Sequence, residues 1–167
     1  DSSKSLPSDF SINLNAHSLA RYAKIVQEYE MVPIVEPEVL MDGSHNIDEC
    51  YNATSRVLSA VFEQLDKHET FLGGILLKPN MVISAKEAKN QANITEVSEM
   101  TLKCLKENVP DEVPGIVFLS GGQSNELATA HLNEMNKVKD DYKWNISFSY
   151  GRALQQPSLN SWLGNDN

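Results

Sequence analysis

A chain of 167 residues, 41% of them hydrophobic, can bury one sizeable core and is expected to form a single domain. Its formal net charge of −9 argues against a nucleic-acid surface, because binding phosphate backbones draws on excess Lys and Arg, although a local basic pocket stays open. No segment reaches the apolar length needed to cross a membrane and no signal peptide opens the chain, so the expected compartment is cytoplasmic.

After an Asp/Ser/Pro-rich opening (1–9), the pattern predicts a helix over about 11–29, with Leu19, Ala23 and Val26 on one face. A strand–helix unit then recurs. "MVPIVEPEVL" (31–40) holds a short apolar strand near 31–36, closed by a turn at Asp42-Gly43. Asn46 and Glu49 stand at capping-box spacing before a helix carrying Tyr51, Leu58, Val61, Phe62 and Leu65 on one face. The second unit pairs a strand near 74–79 with a helix over about 94–107, opened by Asn93 and Glu96 and ended by Asn108 and Pro110. The third is "GIVFLSGGQS", with its strand near 115–120 and a helix over about 124–136. The fourth has its strand near 144–150 and a helix from about 153.

Strands alternating with helices predict a parallel sheet with right-handed crossovers. In each unit the unusual polar residues fall at the carboxyl end of the strand, the rim where parallel α/β folds build active sites. Four units are half of a (β/α)8 barrel, and a small doubly wound sheet is the alternative.

Lys78 follows Ile75, Leu76 and Leu77 directly and precedes Pro79. A lysine there admits two readings. Its stem packs while the ammonium reaches solvent, or it is a desolvated amine that attacks a carbonyl carbon to form an imine. Glu36 and Glu38, two apart, would face one side of a strand and suit acid–base work, or they form an exposed pair at a proline turn. "SGGQS" (120–124) leads from a strand into a helix, where Ser120, Gly121 and Gly122 let the backbone approach an anion. "SYGR" (149–152) adds Ser149, Gly151 and the Arg152 guanidinium. Each motif alone is an ordinary tight turn, but together they follow two consecutive strands, where barrels hold a phosphate.

Cys50 and Cys104 fit neither a disulfide framework nor a CxxC site, and both fall in predicted helices. His17, His45, His68 and His131 are dispersed without HxxxH or HExxH spacing, so neither a metal nor a cofactor is expected. Three Asn-X-Ser/Thr triplets, at Asn52, Asn93 and Asn145, are read as coincidental in the absence of a secretory signal.

"LARYA" (19–23), "VPIVEPEVL" (32–40), "LLKPNMV" (76–82), "FLSGGQS" (118–124) and "FSYGRALQ" (148–155) together resemble class I fructose-1,6-bisphosphate aldolase, in order and over about 11–165. The resemblance implies an α/β (β/α)8 TIM barrel of which residues 1–167 supply about the last four βα units, the C-terminal half of one barrel domain. It implies reversible cleavage of fructose 1,6-bisphosphate into dihydroxyacetone phosphate and glyceraldehyde 3-phosphate, in glycolysis and gluconeogenesis, by a homotetramer. Lys78 would be the Schiff-base lysine, Glu36 the main proton acceptor and donor, and Glu38 the residue that orients and tunes the lysine. Ser120, Gly121, Gly122, Ser149, Gly151 and Arg152 would hold a substrate phosphate. The family's first four strands and its C-terminal tail carry further catalytic and phosphate-binding groups that 1–167 lacks. The rival expectation is a non-catalytic module binding cytoskeletal or adhesion partners, as some full-length members do.

Overall fold

The computed structural model describes residues 6–138 and 142–164; most of the polar opening over 1–9, namely 1–5, lies outside the described residues. Among the described residues five α-helices and four short strands alternate, with one 3-10 turn at Leu72–Gly74: α1 (Asp9–Glu28), β1 (Ile34–Val35), α2 (Ile47–Lys67), β2 (Leu76–Leu77), α3 (Ile94–Asn108), β3 (Gly115–Phe118), α4 (Asn125–Lys137), β4 (Asn145–Phe148) and α5 (Arg152–Trp162). The strands pair in parallel in the order β1-β2-β3-β4. Right-handed crossovers between strands in sequential order put the connecting helices on one face of the sheet. Accordingly α1 packs on α2, α2 on α3, and α3 on α4. The sheet is therefore singly wound, as in a barrel wall, and the doubly wound alternative is set aside.

Local chemistry sets where the helices start. Ser8 caps α1 by accepting from the Ser11 amide. Both expected capping boxes form: Glu49 N donates to Asn46 Oδ1 at 2.9 Å while Asn46 N donates to Glu49 Oε2 at 2.8 Å, and Asn93 and Glu96 repeat the exchange at α3. Ser124 caps α4. Each such cap is worth about 1 kcal/mol against alanine. The buried stripe of α1 is Ile12, Ala16, Ala20 and Ala23, with Leu19 only packed against its edge. Small residues there let α1 lie close on α2, whose buried face is Cys50, Thr54, Leu58, Val61, Phe62 and Leu65.

The first two strands are shorter than their apolar runs. Pro33, Pro37 and Pro79 have no N–H to give a ladder, so β1 and β2 close after two residues each. Pairing nevertheless continues around them. Leu76 N donates to Pro33 O, Lys78 N to Val35 O at 2.7 Å, and Leu119 N to Pro79 O. Val35, Leu77, Ile116 and Phe118 are fully buried, and the first two stand in register against each other. Burying side chains of this size contributes roughly 1.5–3 kcal/mol each.

Asn80 ties the segment after β2 to two other elements. Its Oδ1 accepts from Val39 N at 2.9 Å, and its Nδ2 donates to Thr54 Oγ1 of α2 at 3.0 Å and to Met81 O at 3.1 Å. The side chain is buried, so each partner would be left without a replacement. Asn80→Ala should therefore lower unfolding stability by roughly 2–4 kcal/mol, checked by urea denaturation. A change within 0.5 kcal/mol would mean that water replaces these bonds at little cost.

At the sheet's ends, Ile34 on β1 is 41% exposed and Phe148 on β4 is 47% exposed, and Val32 beside β1 is 64% exposed. Open parallel edges flanked by apolar side chains template further pairing. The 167-residue chain should self-associate in sedimentation, and Ile34→Lys with Phe148→Lys should reduce that association. A monodisperse monomer at micromolar concentration would contradict the expectation.

Candidate active site

The register of β1 on β2 is Ile34 with Leu76 and Val35 with Leu77. One step further along both strands, the same register sets Glu36 opposite Lys78. Side chains alternate across a sheet, so Glu36 and Lys78 share the face of Ile34 and Leu76, opposite the helices. Lys78 Nζ lies 3.1 Å from Glu36 Oε1, with the lysine side chain only 18% exposed and the carboxylate 46%. An ammonium so far withdrawn from water is costly without a counter-charge, and Glu36 supplies one.

Glu38 is exposed and makes no ion pair with Lys78. Pro37 breaks the strand between the two glutamates, yet both line one cavity of about 700 Å³ between α1, α2 and the loop after β1. His45 lines the same cavity; burial lowers its pKa and leaves its Nε2 without a hydrogen-bond partner.

The loop after β3 turns sharply. Gly121 and Gly122 take φ of +61° and +86°, a left-handed conformation that side chains disfavour, and Gln123 N closes the turn on Ser120 O at 3.0 Å. Ser120 is buried and Gly122 exposed. The Gln123 side chain is pinned from both ends. Its Oε1 accepts from His131 Nδ1 at 2.7 Å, which requires a proton on Nδ1, and its Nε2 donates to Met81 Sδ at 3.6 Å. Burial lowers the pKa of His131, so the ring is held neutral at pH 7. Gln123 thereby couples the glycine turn to the segment that carries Lys78.

After β4, Ser149 N donates to Phe118 O at 2.9 Å, extending the β3–β4 pairing to the rim. Gly151 caps α5, its carbonyl accepting from Gln155 N, and Arg152 is the first and exposed residue of that helix. All of the sequence-derived site residues thus lie at the carboxyl ends of the four strands. The contact between Lys78 and Glu36 is direct; the glycine turn, Ser149 and Arg152 reach the same rim from the neighbouring loops.

Sequence reasoning missed Asn80, the Gln123–His131 couple and a rim pair of Asp42 and Lys86, joined at 2.9 Å. Gln123 and Asn80 stood inside the motifs that drew attention, but most of their partners are distant in sequence, Val39 41 and Met81 42 residues away, and carry no local signature. The thiols of Cys50 and Cys104 are free and buried, and burial raises both, Cys104 to about 11. They pack as apolar groups.

Comparison with known proteins matches this geometry to a family. A sequence model of class-I fructose-bisphosphate aldolase matches residues 2–167. The probable fructose-bisphosphate aldolase class 1 of Xanthomonas axonopodis pv. citri is 52% identical over 157 residues, covering 94% of this chain and 47% of that protein. The cytosolic fructose-bisphosphate aldolase 6 of Arabidopsis thaliana is 51% identical over 160 residues, covering 96% of this chain and 44% of that one. The solved aldolase of Plasmodium falciparum, in complex with TRAP and a small-molecule inhibitor, superimposes with a TM-score of 0.96 at 46% identity, covering 99% of this chain and 48% of that one. The chain spans about half the length of the curated relatives it matches. With the family model matching residues 2–167 and relatives about half identical over nearly the whole chain, the chain belongs to the class-I fructose-bisphosphate aldolase family.

Proposed function

We propose that the chain forms the C-terminal half of a (β/α)8 barrel that cleaves fructose 1,6-bisphosphate reversibly through a Schiff base on Lys78. The observation that carries this reading is the Lys78–Glu36 pair, an amine 3.1 Å from a carboxylate at the end of a buried strand. To attack, the amine must shed a proton, and Glu36 Oε1 lies within reach to take it.

Each step conserves its atoms. Neutral Nζ adds to the C2 ketone to give a carbinolamine, and Glu36 returns a proton to the C2 hydroxyl, which leaves as water. The resulting protonated imine is an electron sink. When a carboxylate removes the C4 hydroxyl proton, the C3–C4 bond breaks and its electron pair moves into the imine. Glyceraldehyde 3-phosphate departs and an enamine stays on Lys78. Protonation of that enamine at C3 restores the imine, and water then hydrolyses it to release dihydroxyacetone phosphate. Glu38, on the cavity wall beside Glu36, is the residue we assign to orienting the pair.

The glycine turn and Arg152 are assigned to a substrate phosphate: Ser120, Gly121 and Gly122 through the backbone, and Ser149, Gly151 and Arg152 from the next loop. We assign the whole protein to glycolysis and gluconeogenesis, in the cytoplasm and as a homotetramer. The matching family model is described as glycolytic, and an Arabidopsis relative as cytosolic.

A second reading, a module that binds a partner polypeptide, is favoured by the TRAP complex of the Plasmodium aldolase. The two separate chemically. In the full-length protein, dihydroxyacetone phosphate with borohydride should label Lys78, and Lys78→Ala should abolish cleavage while EDTA leaves the rate unchanged. Glu36→Gln should lower kcat by roughly 10²–10⁴-fold, the range for loss of a positioned acid–base group. Labelling at another lysine with cleavage intact would sink the assignment, and no labelling at all would favour the binding module.

Arg152→Ala should weaken binding of the bisphosphate by about 2–4 kcal/mol, and binding of an analogue lacking the facing phosphate far less. Equal losses for both ligands would make Arg152 structural.

A further inference from the structure

Three backbone hydrogen bonds, each 2.9 Å, tie the segment after β2 to the loop after β1: Ala85 N to His45 O, Lys86 N to Met41 O, and Glu87 N to Gly43 O. This strap carries the Lys86 side chain across to the glycine turn after β3. A Cβ placed on Gly122 would lie 3.4 Å from Lys86 Nζ and 3.6 Å from its Cε. The same ammonium pairs with Asp42 Oδ1 at 2.9 Å. Three loops therefore bring one cation, one carboxylate and the Gly121–Gly122 backbone to one place.

We infer that Lys86 is an anion-binding residue of the glycine-turn site, that its ligand is a phosphate monoester, and that Asp42 occupies it until that ligand arrives. The inference rests on the reading of the turn as a phosphate site, and adds a residue and a competitor to it. The strap's main-chain bonds already hold the two loops, so a half-exposed ion pair is not needed for that purpose. Asp42 presents one negative charge to Lys86, whereas a phosphate monoester near pH 7 carries close to two. The dianion also offers oxygens that can accept from Lys86 and from the backbone of Gly121 and Gly122 at once, which a carboxylate anchored on the loop after β1 cannot do. Gly122 is required at this point, because its positive φ forms the turn.

The test is a titration of the full-length chain with inorganic phosphate, read by calorimetry at low ionic strength. Lys86→Met should weaken binding roughly three- to tenfold, and Asp42→Asn should tighten it roughly two- to fivefold. The opposed signs separate this role from a structural one. Both variants break the same ion pair, so a merely structural bridge would move affinity the same way in both, and that result overturns the inference. No change in either variant overturns it as well. Thermal melts of both variants report whether the strap survives, and Lys86→Arg should retain binding if charge at this place is what matters. Borohydride labelling of Lys78 in the same samples keeps the two proposals apart: lost labelling with intact phosphate responses counts against the aldolase reading alone.

Discussion

The ion pair between Lys78 and Glu36 sets the constraint that organises the rim. An ammonium at the end of a buried parallel strand must have a counter-charge on a neighbouring strand, and parallel register decides which residue that is. Because Ile34 faces Leu76 and Val35 faces Leu77, the next step is Glu36 beside Lys78. Slipping the register by one residue would turn the carboxylate toward the helices and leave the amine unpaired. The core residues Val35 and Leu77 hold that register because their alternatives would expose them, so the apolar layer and the charged pair enforce each other.

The prolines give the pair its position along the sheet. Pro37 and Pro79 directly follow the two charged residues and cannot extend the ladder, so the strands stop where the chemistry begins. Beyond them the chain needs other fastenings. Asn80 supplies one, binding Val39 and Thr54, and the strap of residues 85–87 on 41–45 supplies another. Backbone leaving a sheet must still satisfy its polar groups, and here it does so by lashing consecutive βα loops to one another. Loops so tied can hold side chains from different strands at fixed separations, which a site shared among them requires.

How much of this was legible in the chain follows the range of the physics involved. The helix starts were legible because caps act within three residues: Asn46 with Glu49 and Asn93 with Glu96 form the boxes their spacing implies. The parallel order was legible from alternation and crossover handedness. Strand lengths were not, since an apolar run such as Ile75–Leu77 signals burial, whereas the regular ladder stops at the flanking prolines and only single bonds continue around them. The inward face of α1 was only partly legible, Ala23 being buried and Leu19 packed at its edge. Leu19 and Val26 are more apolar than alanine, but the close approach of α2 selects the alanine stripe. Lys78, Glu36 and the glycine turn announced themselves as local anomalies. Lys86 and Asp42 did not, because a lysine in a polar loop is unremarkable until folding sets it against Gly122.

The contrast between the two lysines shows what the rim does with charge. Lys78 is nearly enclosed, rises from a strand and faces a carboxylate one register step away, a geometry suited to passing a proton at a fixed atom. Lys86 is half-exposed, hangs from a loop and is held by a carboxylate that is itself exposed, a geometry suited to exchanging one anion for another. Burial makes the first pair expensive to separate, and solvent makes the second cheap. In the proposed aldolase reading, holding a reacting carbonyl in one place and admitting and releasing a phosphate in another draws on both kinds of pair. The depth of each lysine, set by whether it sits on the sheet or on the loops above it, decides which kind it becomes.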